Sequence, residues 1–123
     1  MSKKILIIED ELPIAQIMVD ALKTEGYQVE MANDGEMGLQ KAGIFQPDLI
    51  LLDIMLPKMD GRQMLKELQA SGTNPNCKII VLTNVDGDMK TISDVVASGG
   101  HDYLVKANTS IEAIIARIKE RLV

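Results

Sequence analysis

Two apolar rhythms alternate along this chain. Unbroken aliphatic runs occur at Ile5-Leu6-Ile7-Ile8, Leu49-Ile50-Leu51-Leu52 and Ile79-Ile80-Val81-Leu82. Runs without polar interruption predict strands covered on both faces, as in a parallel sheet sandwiched between helices. Tyr27-Gln28-Val29-Glu30-Met31 alternates instead, which predicts a more exposed strand. A short fifth strand is expected from His101 to Val105. Between the strands the spacing turns helical. Ile14, Ile17, Met18, Ala21 and Leu22 share one face, with Pro13 in a first turn and Gly26 as the stop. Asn33 and Glu36 have capping-box spacing for a second helix reaching about Phe45, weakened by Gly38 and Gly43 and ended by Gln46-Pro47. Asp60 is expected to cap a third helix carrying Met64, Leu65 and Leu68, followed by a polar loop over Ser71 to Asn76. A fourth helix carries Met89, Ile92 and Val96 and stops at Gly99-Gly100. Thr109 and Glu112 space a capping box for the fifth, whose Ile111, Ile114, Ile115, Ile118 and Leu122 form an apolar stripe.

Five strand–helix units joined by right-handed crossovers make an α/β fold with a doubly wound, five-stranded parallel sheet and five helices on both faces. The three most apolar strands belong in the centre and the alternating second strand at an edge. That favours the flavodoxin-like order 2-1-3-4-5, whose ligands sit at the carboxyl ends of the strands. With 123 residues the chain is expected to form one domain, 1–123, able to bury roughly two-thirds of its unfolded surface. The single cysteine, Cys77, cannot form an internal bridge and has no zinc-ligand spacing around it, which fits a reducing, cytoplasmic setting. Met-Ser-Lys-Lys leads directly into the first strand, and no apolar stretch approaches membrane-spanning length. A net charge of −5 argues against a grip on nucleic acid. The methionines include Met18, Met64 and Met89 at core spacing, so packing accounts for them.

This topology turns sequence order into chemistry. Glu9 and Asp10 follow the first strand, Asp53 ends its neighbour the third, Thr83 ends the fourth and Lys106 follows the fifth, all on one rim. Each alone is ordinary. Asp53 suits a turn, the acids suit a helix N-terminus, Thr83 suits a strand end and Lys106 a solvated surface. Together they require a shared purpose. Three converging carboxylates repel one another unless a cation sits among them, and Mg²⁺ is the natural one, being hard and oxygen-seeking. A lysine and a hydroxyl opposite such a metal suit a phosphoryl group. With no serine, cysteine or base placed as nucleophile, the acceptor is a carboxylate, giving an acyl phosphate.

The set Glu9-Asp10, then Asp53 with Met55, Pro57, Asp60 and Gly61, then Thr83, then Asp102-Tyr103-Leu104-Val105-Lys106, resembles the receiver domain of bacterial two-component response regulators, of the single-domain, chemotaxis-regulator type. The resemblance spans essentially the whole chain. It implies a phosphorylation-activated switch rather than an enzyme, with Mg²⁺-dependent self-phosphorylation and autodephosphorylation only. Asp53 would take its phosphoryl group from a sensor histidine kinase, a phosphotransfer protein or a small acyl phosphate. Asp10, Asp53 and the Met55 backbone carbonyl would bind Mg²⁺, with Glu9 acting through water, and Lys106 would hold a phosphoryl oxygen. Thr83 would move toward the phosphoryl group and Tyr103 would change rotamer behind it. That would alter the face of the fourth helix, fifth strand and fifth helix, which would meet a downstream protein, a detached output domain or a second copy. No organic cofactor, nucleic acid or membrane is implied.

The chain also departs from that pattern. Ala107 follows Lys106 where receivers usually carry proline, and His101, read as a surface residue, stands where a small or acidic residue is usual. Asn84 follows Thr83 where a small residue is usual, and is expected to cover part of the entrance to Asp53. Met55 and Val85, two positions beyond Asp53 and Thr83, are apolar and cannot orient a water for in-line attack on an acyl phosphate. A long-lived phosphorylated state is expected. Competing readings fit less well. A phosphohydrolase of haloacid-dehalogenase type usually places a second acid where Met55 stands, and an FMN module needs a Ser/Thr/Gly-rich loop where Glu9-Asp10-Glu11 stand. A receiver that signals without phosphorylation would not need the intact acids, threonine and lysine. No attached output domain is expected after the last helix; a regulator working by protein contact and a receiver from a longer protein both fit.

Overall fold

The computed structural model of the chain describes residues 2–53, 61–70, 77–83, 102–105 and 109–122. Five strands, β1 (Lys4–Ile8), β2 (Gln28–Ala32), β3 (Leu49–Asp53), β4 (Lys78–Thr83) and β5 (Asp102–Val105), pair in parallel in the order β2-β1-β3-β4-β5. The doubly wound sheet expected from the apolar runs is present. Four helices accompany it among the described residues: α1 (Leu12–Thr24), α2 (Gly35–Phe45), α3 (Gly61–Ala70) and a C-terminal helix, Ile111–Leu122. The expected fourth helix, the Asp60 cap and the loop over Ser71 to Asn76 lie outside the described residues.

Period-two geometry explains why the aliphatic runs need no polar positions. Successive side chains of a strand point to opposite faces, so each run feeds two cores. Leu6, Ile8, Ile50, Leu52, Ile79 and Val81 pack with Ala42, Met64 and Leu68 under α2 and α3. Ile5, Ile7, Leu49, Leu51, Ile80 and Leu82 pack with Ala15, Met18, Val19 and Leu22 of α1 and with Ile114 and Ile118 of the C-terminal helix. Cys77 lies in the first layer, where desolvation and then the nearby Asp48 charge push its thiol up to about 12. It is a packing residue. β2 alternates between exposed and buried positions, as an edge strand should. Lys41 Nζ donates to the Met31 carbonyl at 2.6 Å, blunting that edge.

The termini of the elements follow local chemistry. α1 carries its proline in the first turn and ends in a Schellman arrangement. Gly26, at φ +96°, donates to the Lys23 carbonyl, and Tyr27 donates to that of Leu22. Lys119 of the C-terminal helix reaches Glu25 beside this turn at 2.8 Å. α2 is capped by Asp34, whose Oδ1 accepts the Met37 N–H at 2.8 Å, one residue later than the Asn33 cap expected from spacing. It ends at Gln46, which takes a left-handed φ of 51° before Pro47 and folds its amide back onto the Gly43 carbonyl. At the opposite end of the sheet from the candidate site, Asp48 ties three strands together. Its Oδ2 accepts the Lys4 N–H, its N–H donates to the Lys4 carbonyl, and its carbonyl accepts the Lys78 N–H.

The two glycines of α2 differ in what surrounds them. A Cβ on Gly38 would meet Ile8 Cδ1 at 2.8 Å and Met64 Cε at 2.9 Å, whereas Gly43 faces open space. Gly38 is therefore a close-approach residue that lets α2 sit against β1 and α3. Gly43→Ala is expected to stabilise the protein by about 0.5–1 kcal/mol through helix propensity. Gly38→Ala is expected to lack that gain, because the tips of Ile8 and Met64 must shift to admit the methyl group. Urea unfolding of both variants checks this; equal shifts in the two would remove the packing role of Gly38.

Candidate functional site

The carboxyl end of the sheet collects acids from two neighbouring strands. Ile8 ends β1 opposite Leu52, so the residue after each, Glu9 and Asp53, extends the ladder at the same level. The Glu9 N–H still donates to the Ala32 carbonyl, which holds its backbone in line with β1 after the strand ends. Glu9 and Asp53 are each 1% exposed and are the buried charged residues of the described chain. Asp10, beside them, is exposed. One carboxylate oxygen from each of Glu9, Asp10 and Asp53 lies within 4.8 Å of the others.

The helix that follows does not account for this cluster. An acid placed only to favour a helix dipole belongs in the first turn, but the first turn of α1 holds none. Glu11 occupies the N-cap without a side-chain capping bond. Its N–H donates instead to Glu9 Oε1 at 3.3 Å, so the start of α1 braces the Glu9 carboxylate. Two nearly dry carboxylates and one wet one form a close set of hard oxygen donors. That set fits a small divalent cation such as Mg²⁺, which takes one or two carboxylates and keeps water on its open side. The exposed edge at Asp10 supplies such a side.

The strand register places the remaining candidates. Asp53 pairs with Leu82 in β4, so Thr83 is the next residue along, at the rim. Thr83 pairs in turn with Val105, the residue before Lys106. Tyr103 lies in β5 opposite Val81. Thus Glu9, Asp10 and Asp53 are brought together by their side chains, while Thr83 and Tyr103 are placed by backbone register. Met55, Asn84, Val85, His101, Lys106 and Ala107 lie outside the described residues.

The C-terminal helix begins differently from the spacing reading. Ser110 Oγ accepts the Ala113 N–H at 3.1 Å, so Ser110 rather than Thr109 caps it. Thr109 instead donates its hydroxyl to the Val105 carbonyl at 2.8 Å. Two adjacent hydroxyl residues both satisfy cap chemistry on paper, and the sequence carries no signal that separates them.

Comparison with known proteins places these features in a wider set. A family model described as a response regulator receiver domain matches residues 5–119. A CheY-like receiver domain protein from Methanospirillum hungatei JF-1 superposes with a TM-score of 0.90 at 30% identity, covering 99% of this chain and 94% of that one. A two-component response regulator from Clostridium difficile gives 0.86 at 31% identity, covering 98% and 96%. The chemotaxis protein CheY4 of Vibrio cholerae gives 0.88 at 27% identity, covering 98% of each chain. No helix among the described residues is long and apolar enough to cross a membrane.

Proposed function

Because this chain belongs to the response regulator receiver domain family, whose members are phosphoacceptor switches of two-component signalling rather than conventional enzymes, we propose that Asp53 is its phosphoacceptor. The observation that carries the assignment is the buried Asp53 carboxylate at the tip of β3, grouped with Glu9 and Asp10. Residues 1–123 act in this reading as one phosphoacceptor domain. A carboxylate oxygen of Asp53 attacks phosphorus, the phosphoryl bond to the donor breaks, and the donor leaves with its electron pair. The donor is the phosphohistidine of a sensor kinase or phosphotransfer protein, or a small acyl phosphate, and the reaction is placed in the cytoplasm.

Asp10, Asp53 and the Met55 main-chain carbonyl would hold Mg²⁺, with Glu9 acting through water. Bound there, the metal would neutralise charge on the transferring phosphoryl oxygens. Lys106 would hold a phosphoryl oxygen, and Thr83 would move toward the group once it is attached. Tyr103 responds from β5, altering the face made by the segment between β4 and β5, β5 itself and the C-terminal helix. That face meets a downstream protein, a detached output domain or a second copy of the chain. Incubation with Mg²⁺ and acetyl phosphate, followed by intact mass, tests the reading: one added phosphoryl group is expected, labile to hydroxylamine. A chain that gains none under saturating conditions would overturn it.

The lifetime of that group follows from side chains that cannot direct water. Met55 and Val85 offer no hydrogen-bonding group at the two positions from which an attacking water would be oriented. Val85→Gln and Met55→Asn are each expected to speed dephosphorylation on the order of tenfold, by restoring orientation of the nucleophile. Loss of phosphoryl signal after donor removal measures this, and unchanged rates in both variants would count against it.

A further inference from the structure

The hydrogen bond between Thr109 and Val105 has a place in the same chemistry. Its acceptor is the carbonyl of the peptide unit whose nitrogen belongs to Lys106. Val105 is held on the other side by β4, where it pairs with Thr83, the residue after the partner of Asp53. The bond therefore sits on the rim that carries Asp53. It is not needed to start the helix, because Ser110 already supplies the capping oxygen. Nor does the next residue restrict the chain: Ala107 has no ring to fix its φ.

We infer that Thr109 is a positioning residue for phosphoryl transfer: its hydroxyl holds the Val105 carbonyl at the end of β5, immediately before Lys106 in the chain, and acts through that lysine. This rests on the assignment of Asp53 and Lys106 above. A threonine hydroxyl half-buried at 2.8 Å from a carbonyl makes a bond that serine can reproduce and valine cannot, although valine keeps the shape.

The experiment compares phosphorylation rates from acetyl phosphate with Mg²⁺ in the natural chain, Thr109→Val, Thr109→Ser, Lys106→Ala and the double variant Lys106→Ala/Thr109→Val. Thr109→Val is expected to slow the reaction about fivefold, the scale of one neutral hydrogen bond, and Thr109→Ser to restore it to within about twofold. In the Lys106→Ala background Thr109→Val is expected to change the rate no further, since the group it positions is gone. Its Mg²⁺ affinity should match that of the natural chain. Thr109→Val at the natural rate, or a slowing equally large without Lys106, overturns the inference while leaving Asp53 as acceptor. A natural chain that takes up no phosphoryl group overturns both.

Discussion

Asp53→Ala is expected to gain no phosphoryl group under conditions in which the natural chain gains one. The expectation is strict because the neighbouring acids are poor substitutes. The Glu9 carboxylate is engaged by the Glu11 N–H. Asp10 is exposed, where its carboxylate is solvated and not held against a leaving donor. Asp53 is buried as the last residue of a central strand flanked by β1 and β4, whereas Glu9 follows the end of β1 and is tied to the start of α1. The loss should exceed three orders of magnitude, on the order of the contribution that a nucleophile makes to a covalent step. Intact mass and peptide mapping decide it. Undiminished uptake, or a phosphoryl group mapped to Glu9 or Asp10 in the natural chain, would displace Asp53 from its role. Asp53→Ala must also be shown to fold, and it should, because the substitution removes a buried charge and leaves the aliphatic part of β3 intact.

How far such a site is legible in sequence depends on how local its causes are. β1, β3 and β4 are readable because four adjacent aliphatic residues suit a strand buried on both faces. Their central place, with the alternating β2 at an edge, then favours the order, and with it the meeting of Glu9 and Asp53. The helix caps are harder. Asn33-Asp34 and Thr109-Ser110 each offer two competent residues in a row, and the structure uses the second of each pair. The choice depends on how the chain leaves the preceding strand, which spacing does not encode. Gly38 is misread for a related reason. Propensity marks it as a weakness in α2, whereas its cause lies in Ile8 and Met64, distant in sequence. Asp48 gives no local signal at all, since its carboxylate reaches the Lys4 N–H across 44 positions.

The metal dependence of stability separates a cation site from a mere gathering of acids. In metal-free buffer, Asp10→Asn is expected to be slightly more stable than the natural chain, because it removes one of three carboxylates within 4.8 Å. The gain should stay within about 1 kcal/mol, since Asp10 is exposed and water screens the repulsion. Added Mg²⁺ is expected to reverse the order. A ligand that binds only the folded chain stabilises it by about 1.4 kcal/mol at ten times its Kd, and the natural chain should gain this. Asp10→Asn loses an anionic ligand and should need on the order of ten times more Mg²⁺ for the same gain. Gln16→Ala, on an exposed position of α1 away from the cluster, serves as the control and should respond as the natural chain does. Thermal unfolding across a Mg²⁺ series at constant ionic strength reads all three. Identical Mg²⁺ responses in Asp10→Asn and the natural chain would mean that the carboxylates at the ends of β1 and β3 converge for some reason other than a metal. Crossing curves would tie the exposed acid to a cation bound beside the buried Asp53.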